Sequence, residues 1–219
     1  MLLTVQFVEK SYVTVEGPLK VLRSLSFDLD SGTSLALTGE SGCGKSTLLH
    51  VIAGLDQPDS GTVTVAGADI TGLNDSARAD LRRGTVGLVF QQFNLIPSLN
   101  VASNLAFHAE LSNSHDPVWV QKVTAKLGLK ELLARYPEEL SGGQQQRVAI
   151  GRTLAAKPLL VLADEPTGNL DETTGDAVLE LMLSMVRDTG TALIMATHSP
   201  RLASRLDRHL RLHAGELVL

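Results

Sequence analysis

One cysteine, Cys43, stands in the 219 residues, so no internal disulfide can form. That suits a reducing compartment. No apolar run approaches the roughly 18 residues needed to span a bilayer. The opening stretch Met1-Leu2-Leu3-Thr4-Val5-Gln6-Phe7 lacks the basic segment and the long apolar segment of a secretion signal. Together these absences predict a chain that works in the cytosol. A basic excess is missing as well. The 19 Lys and Arg are outnumbered by 24 Asp and Glu, for a net charge of −5, which is not the footprint of a nucleic-acid binder. No nucleic acid is therefore expected as the main partner. Internal repeats and low-complexity segments are absent too. The remainder is ordinary: 43% hydrophobic and 20% charged residues can bury a proper core, as one large domain or as one core with an insertion.

Against that plain background one stretch stands out, Leu35-Ala36-Leu37-Thr38-Gly39-Glu40-Ser41-Gly42-Cys43-Gly44-Lys45-Ser46-Thr47. An apolar, strand-like run ends at Gly39, and a helical pattern (Leu48, Leu49, Val51, Ile52) begins after Thr47. Between them lies G-x-x-x-x-G-K-[ST], the phosphate-binding loop, in the strand–loop–helix setting that it requires. Gly39, Gly42 and Gly44 accept backbone angles that side chains forbid, so successive N–H groups can point at phosphate oxygens. The helix that follows adds the positive end of its dipole. Lys45 can reach the β- and γ-phosphates, and the Ser46 hydroxyl can ligate Mg²⁺. A chance match in a chain this long is on the order of one per cent. The stretch predicts a site for a nucleoside triphosphate, with Ser41, Cys43 and Thr47 among its contacts. Cys43 could also be a reactive thiol, or simply a small residue filling a variable position.

Taken in order, the chain predicts strands at Thr4–Val8, Leu25–Leu29, Gly61–Val65, Thr85–Phe90, Leu159–Ala163 and Thr191–Ala196 besides the loop strand. Helices are expected at Lys45–Ala53, stopped by Gly54, at Asp75–Arg83, from Ser141 to about Ala156, at Glu172–Asp188 and at Pro200–Arg205. Arg208–Leu212 and Glu216–Leu219 read as an antiparallel hairpin. Residues 99–140 are helical throughout, without a convincing strand. The expected architecture is a phosphate-loop α/β fold of three layers with a mostly parallel sheet. An N-terminal antiparallel β element and an inserted helical subdomain over about 99–140 complete it, with the core supplied by 1–98 and 141–219.

Two further motifs carry chemistry. Leu159-Leu160-Val161-Leu162-Ala163-Asp164-Glu165 is a buried parallel strand ending in two acids, the pattern of a Walker B strand. Asp164 at such an end can hold Mg²⁺ beside the phosphate loop. Glu165 is then placed to orient or deprotonate an attacking water. A solvated turn or a helix cap is the competing use for two adjacent acids. Leu140-Ser141-Gly142-Gly143-Gln144 opens a helix with small residues. Ser141 there could bond an anion or merely cap the helix.

Taken together these motifs resemble the ATP-binding-cassette (ABC) ATPase family, whose signature LSGGQ is complete at Leu140–Gln144. The Gly39–Ser46 loop, Gln91, the signature, the Leu159–Glu165 strand, Asn169-Leu170-Asp171 and His198 occur in the family's order across nearly the whole chain. The resemblance implies ATP and Mg²⁺ as ligands. It also implies a homodimer closing head to tail, so that Ser141, Gly142, Gly143 and Gln144 face the partner's nucleotide. By the same resemblance Tyr12 stacks on adenine, and Gln91 touches Mg²⁺ or the lytic water. His198 contacts the γ-phosphate, Glu165 is the catalytic base, and Asp171 belongs to the loop that communicates across the dimer. The finer resemblance is to bacterial subunits of the macrolide-export and lipoprotein-release type, through Phe90–Pro97, the run LSGGQQQR from Leu140 and ADEPTGNLD from Ala163. Ser103-Asn104 and Ser199 depart from that group, which usually has Glu-Asn and an Asp there.

The implied function is ATP hydrolysis that powers a transmembrane permease on a separate chain, at the cytoplasmic face of the inner membrane. A soluble ATPase of translation or DNA maintenance is the alternative, disfavoured by a single uninterrupted cassette and an acidic charge. Phe93, Leu95, Ile96 and Leu99 suggest either a groove for a partner's helix or packing between subdomains. Trp119 and the Leu179–Val186 cluster are expected in the packing.

Overall fold

A computed structural model describes residues 1–15 and 17–218. Its strands and helices run in the order β1 (Leu3–Thr14), β2 (Gly17–Leu29), β3 (Ser34–Thr38), α1 (Lys45–Ile52), β4 (Ser60–Val65), β5 (Ala68–Asp69), α2 (Asp75–Gly84) and β6 (Val86–Val89). Then come α3 (Val101–Leu111), α4 (Pro117–Lys126), α5 (Gly142–Ala155), β7 (Leu160–Asp164), α6 (Glu172–Thr189), β8 (Ala192–Thr197), α7 (Pro200–Ala203), β9 (Arg208–His213) and β10 (Glu216–Val218). Short 3₁₀ turns at Lys130–Leu132 and Pro137–Glu139 link α4 to α5.

Six strands form the central sheet in the order β10-β9-β3-β8-β7-β6. The pairs β9–β3, β3–β8, β8–β7 and β7–β6 are parallel, and only β10 runs antiparallel, to β9. A second, four-stranded sheet, β2-β1-β4-β5, is antiparallel. The two-residue period of the strands divides the core in two. Leu35, Leu37, Leu160, Leu162 and Ile194 face α1 and the antiparallel sheet. Ala36, Val161, Ala163, Leu193 and Met195 face α5 and α6 on the other side. Three layers result, as expected. With both faces covered, the central strands read as unbroken apolar runs.

The helices begin where short polar side chains cap them. Asn74, Asn100, Asp116 and Asp171 each accept from an N–H two or three residues on. Helix α6 ends on Gly190, whose φ of 67° is the left-handed stop that glycine permits. Residues 99–140 hold α3, α4 and the two turns, and no strand appears among the described residues there. Trp119 packs against the α5 layer and donates from Nε1 to the Leu154 carbonyl at 2.9 Å. Leu179, Met182, Leu183, Met185 and Val186 are all buried. The hairpin β1–β2 extends well beyond the expected Thr4–Val8 and Leu25–Leu29, because its outer half pairs through the backbone while Val13 and Leu19 stay exposed.

Candidate functional site

The phosphate loop joins the C-terminal end of β3 to the first turn of α1. Gly39, Gly42 and Gly44 have φ of 151°, 77° and 109°. At Gly39 a Cβ would stand 2.2 Å from the Leu212 carbonyl oxygen, so nothing larger fits. Lys45 is only 6% exposed, and its Nζ donates to the carbonyls of Gly39 and Glu40 at 2.8 Å each. The ammonium is thus held over the loop by the loop's own backbone. Cys43 is buried beneath, with Sγ 4.0 Å from Lys45 Nζ, which makes it underside packing. Ser41 and Ser46 are exposed. The cleft above is lined by Ser41, Gly42, the Gly44–Thr47 run, Val21 and Glu165.

Strand order sets the remaining groups in a row, since each lies just past the C-terminal end of a parallel strand. Asp164 closes β7, and Glu165 follows it in the left-handed region, with φ of 45°. The Glu165 N–H donates to the Ala196 carbonyl of β8 at 3.0 Å. From β8 comes His198, whose Nδ1 lies 3.1 Å from Glu165 Oε2. From β6 comes Gln91, whose Nε2 donates to Asn169 Oδ1 at 3.2 Å, while Asn169 Nδ2 returns a bond to the Gln91 carbonyl at 3.0 Å. A Cβ on Gly168 would crowd Gln91 Nε2 at 2.9 Å. Asn169 was not assigned a role from the sequence; its only signal there was the Asn169-Leu170-Asp171 string.

Ser141 caps α5 reciprocally with Gln144. Its Oγ accepts from the Gln144 N–H at 3.3 Å, and Gln144 Oε1 accepts from the Ser141 N–H at 2.8 Å. Gly142 lies against Leu170 and Phe93, and a Cβ at Gly143 would sit 2.4 Å from Thr174 Cγ2. Asp171 caps α6, and bonds from the Thr174 side chain and backbone hold its carboxyl below the ordinary carboxylate range. None of Ser141–Gln144 lines the phosphate-loop cleft or the neighbouring cleft between Glu165, Asp171 and His198.

Tyr12, on β1, is partly exposed, and its hydroxyl donates to Asp56 Oδ2 at 2.7 Å. The segment after Gln91 divides between the two expected uses, subdomain packing and groove. Phe93 and Leu95 are half-buried, and Leu95 packs against the helical core. Arg152 of α5 holds this segment through the carbonyls of Asn94 (2.8 Å) and Phe93 (3.3 Å). The fully buried Asn104 pins Ile96 and Leu99 through their backbones. An apolar groove of about 500 Å³ does open beside it, but Phe90, Ile96, Leu55, Phe107 and Leu111 form its walls and Arg82 and Arg83 its rim.

Fold and cleft together define a nucleoside triphosphatase of the phosphate-loop class. Comparison with known proteins sharpens this. Residues 22–168 match the ABC transporter family. The chain is 45% identical to the uncharacterised ABC transporter ATP-binding protein Rv0986 of Mycobacterium tuberculosis, over 98% of this chain and 88% of that one. It is 44% identical to YbbA of Escherichia coli, also uncharacterised, over 97% and 95%. With the lipoprotein-releasing system ATP-binding protein LolD of Shewanella oneidensis it shares 41% over 99% and 96%. Among solved structures, a dimeric post-hydrolysis state of the ATP-binding cassette MJ0796 with ADP and Pi superposes with a TM-score of 0.89 at 32% identity, covering 100% and 97%. The chain belongs to the ABC transporter family, as an ATP-hydrolysing subunit.

Proposed function

We propose that two copies of this chain close head to tail around two ATP molecules and so drive a separate permease at the cytoplasmic face of the membrane. The observation that carries this reading is the position of Ser141–Gln144: they line neither cleft of their own chain, and a second copy of the chain would bring its signature to the nucleotide. The dimeric state of the MJ0796 cassette supports it. No described helix is long and apolar enough to cross a membrane, and in this reading a separate permease supplies the transport path. The likeness to LolD points to export or to envelope lipid and lipoprotein handling.

In this reading Lys45 leaves the Gly39 and Glu40 carbonyls for the β- and γ-phosphates, and Tyr12 stacks on the base. Glu165 accepts a proton from the attacking water, and its bond to His198 sets both side chains at the γ-phosphate edge. Gln91, held by Asn169, orients the water and reports to the permease. Asp171 lines the contact with the second subunit. Ser46, Asp164 and Gln91 offer hard oxygen donors that fit Mg²⁺. Mg²⁺ takes few protein ligands and keeps water and phosphate oxygens, which such a sparse oxygen set allows. When bound, Mg²⁺ neutralises charge on the transferring phosphoryl group. The permease's helix docks in the groove walled by Leu55, Phe107 and Leu111, an exposed apolar surface of the kind that marks a partner site.

Glu165→Gln is expected to bind ATP yet lose turnover by about 10²- to 10⁴-fold, because the amide accepts no proton. With hydrolysis blocked, light scattering is expected to show monomer without nucleotide and dimer with ATP. Adding Ser141→Arg is expected to restore the monomer. Wild-type turnover in Glu165→Gln sinks the catalytic assignment, and a dimer that tolerates Ser141→Arg sinks the interface.

A further inference from the structure

Around the Tyr12 ring lies a set of charges that neither the motifs nor the family match assigns. Tyr12 Oη donates to Asp56 Oδ2 at 2.7 Å, and Lys10 Nζ meets Asp56 Oδ1 at 2.7 Å. The same ammonium donates to the Gln57 carbonyl at 2.7 Å and stands over the Tyr12 ring, 5.2 Å from its centroid. Gln57 N–H adds a second bond to Asp56 Oδ1 at 2.7 Å. Nearby, Asp59 accepts from the Ser11 N–H at 2.6 Å, so β1 is also fastened between Lys10 and Tyr12. Asp56 itself is tied to the end of α1 through its N–H and the His50 carbonyl at 3.2 Å. At the other end of that helix stand Lys45, Ser46 and Thr47.

We propose that Asp56, held by Lys10, is a positioning residue for base recognition: it fixes the Tyr12 ring relative to the phosphate-loop helix so that base and phosphates are gripped in register. This rests on Tyr12 being the stacking platform. An aromatic ring on an exposed strand would otherwise keep two rotatable χ angles, and the entropy of ordering it would be charged to ATP binding. The Tyr12–Asp56 bond removes that freedom beforehand. Lys10 occupies one face of the ring, which leaves the other for the base and, by cation–π attraction, helps hold the ring in place. Val13 and Leu19, the neighbours along and across the hairpin, are 94% and 57% exposed and lie outside the buried core. Burial, and next the adjacent Asp56 carboxylate, hold the Tyr12 hydroxyl's pKa above its ordinary value, so it remains a donor over the working pH range. The Lys10 and Tyr12 bonds work against burial to keep Asp56 ionised.

The test is steady-state ATPase kinetics on the full chain, with inorganic tripolyphosphate as a competitor that carries phosphates and no base. Asp56→Ala and Tyr12→Phe are each expected to raise KM for ATP about five- to tenfold, the net worth of one ordinary, solvent-exposed hydrogen bond, with kcat within about twofold. The double variant is expected to fall clearly short of the sum of the two singles, since both remove the Tyr12–Asp56 bond while Tyr12→Phe alone also loses the Thr47 contact. Inhibition by tripolyphosphate is expected to stay at the wild-type level in all three, which a general loosening of α1 would not allow. Asp56→Asn, isosteric and able to accept from Tyr12, is expected to recover part of the loss. If Tyr12→Ala raises KM while Asp56→Ala does not, or if the two singles add, the positioning role is wrong and the stacking platform stands. If Tyr12→Ala leaves KM unchanged, the platform falls and this inference falls with it.

Discussion

Several side chains sit where an isolated residue would not choose to be. Glu165 occupies left-handed backbone space without being glycine, at a cost on the order of 1–3 kcal/mol that surrounding contacts must offset. Its N–H bond to Ala196 and the Gly168 N–H bond to its carbonyl do so, and the side chain is thereby aimed at His198. Arg152 is buried with carbonyls rather than a carboxylate for partners, and burial lowers its pKa. Beside it His108 is pushed down to about 4, first by burial and then by the Arg152 charge. The sign of the resulting pH dependence is fixed. The unfolded chain protonates this imidazole near pH 6.5 while the folded chain does not, so stability is full above that pH and declines as pH falls towards about 4. Between pH 7 and 5 the loss from this residue is about 2 kcal/mol. Urea titrations at both pH values are expected to show that much less pH sensitivity in His108→Gln than in the wild type. Equal sensitivity would contradict a buried neutral His108.

Among the elements, α5 joins the helical layer to the central sheet, against α3, α4, α6 and β6. Thr153 bonds the Leu88 carbonyl of β6 at 2.8 Å, Arg147 bonds the Leu127 carbonyl after α4 at 2.9 Å, and Arg152 holds the segment after Gln91. Close approach at Gly151 permits this: a Cβ there would meet Leu105 Cδ2 at 2.5 Å and Leu127 Cδ1 at 2.8 Å, both leucines fully buried. Gly151→Val is expected to destabilise by about 1–3 kcal/mol through overpacking. Gly151→Ala is expected to cost less, because alanine regains about 1 kcal/mol of helix propensity. Denaturant midpoints measure both, and a Val variant as stable as wild type would refute the tight crossing. Elements of this kind were legible in the sequence because their signals are local. Apolar runs marked the buried strands, small polar caps and glycines marked the helix ends, and the phosphate loop announced itself within eight residues. The two-residue β5 and the outer half of the β1–β2 hairpin were not legible, since neither buries a periodic apolar face. Nor were the pairs Gln91–Asn169 and Tyr12–Asp56. Those partners lie 78 and 44 residues apart, and only the sheet order brings them together. The packing of Leu95 was not legible for the same reason: the contact that half-buries it comes from the helical layer.

For the whole molecule, the six-stranded sheet gathers Asp164, Glu165, His198 and Gln91 on one edge, at or just past the C-terminal ends of its parallel strands. The groove with Leu55 and Leu111, 44% and 54% exposed, lies off the nucleotide cleft. Leu111→Glu is therefore expected to leave basal hydrolysis by the isolated chain within about twofold of wild type, as a surface change usually does. The same change is expected to abolish stimulation by the permease and co-purification with it from solubilised membranes. Undiminished stimulation would place the docking surface elsewhere. Helix α5 then has a mechanical consequence. Its 14 residues span about 21 Å, with Arg152 near one end and Ser141 at the other. With the permease seated in the groove as proposed, α5 would act as a lever with a short arm at the groove and a long arm at the signature. A pivot of only roughly 10° would swing the Ser141 end through roughly 3–4 Å, more than a hydrogen bond can stretch. A push too small to disturb the packing where it is applied is thus large enough to break or make a contact where it is delivered.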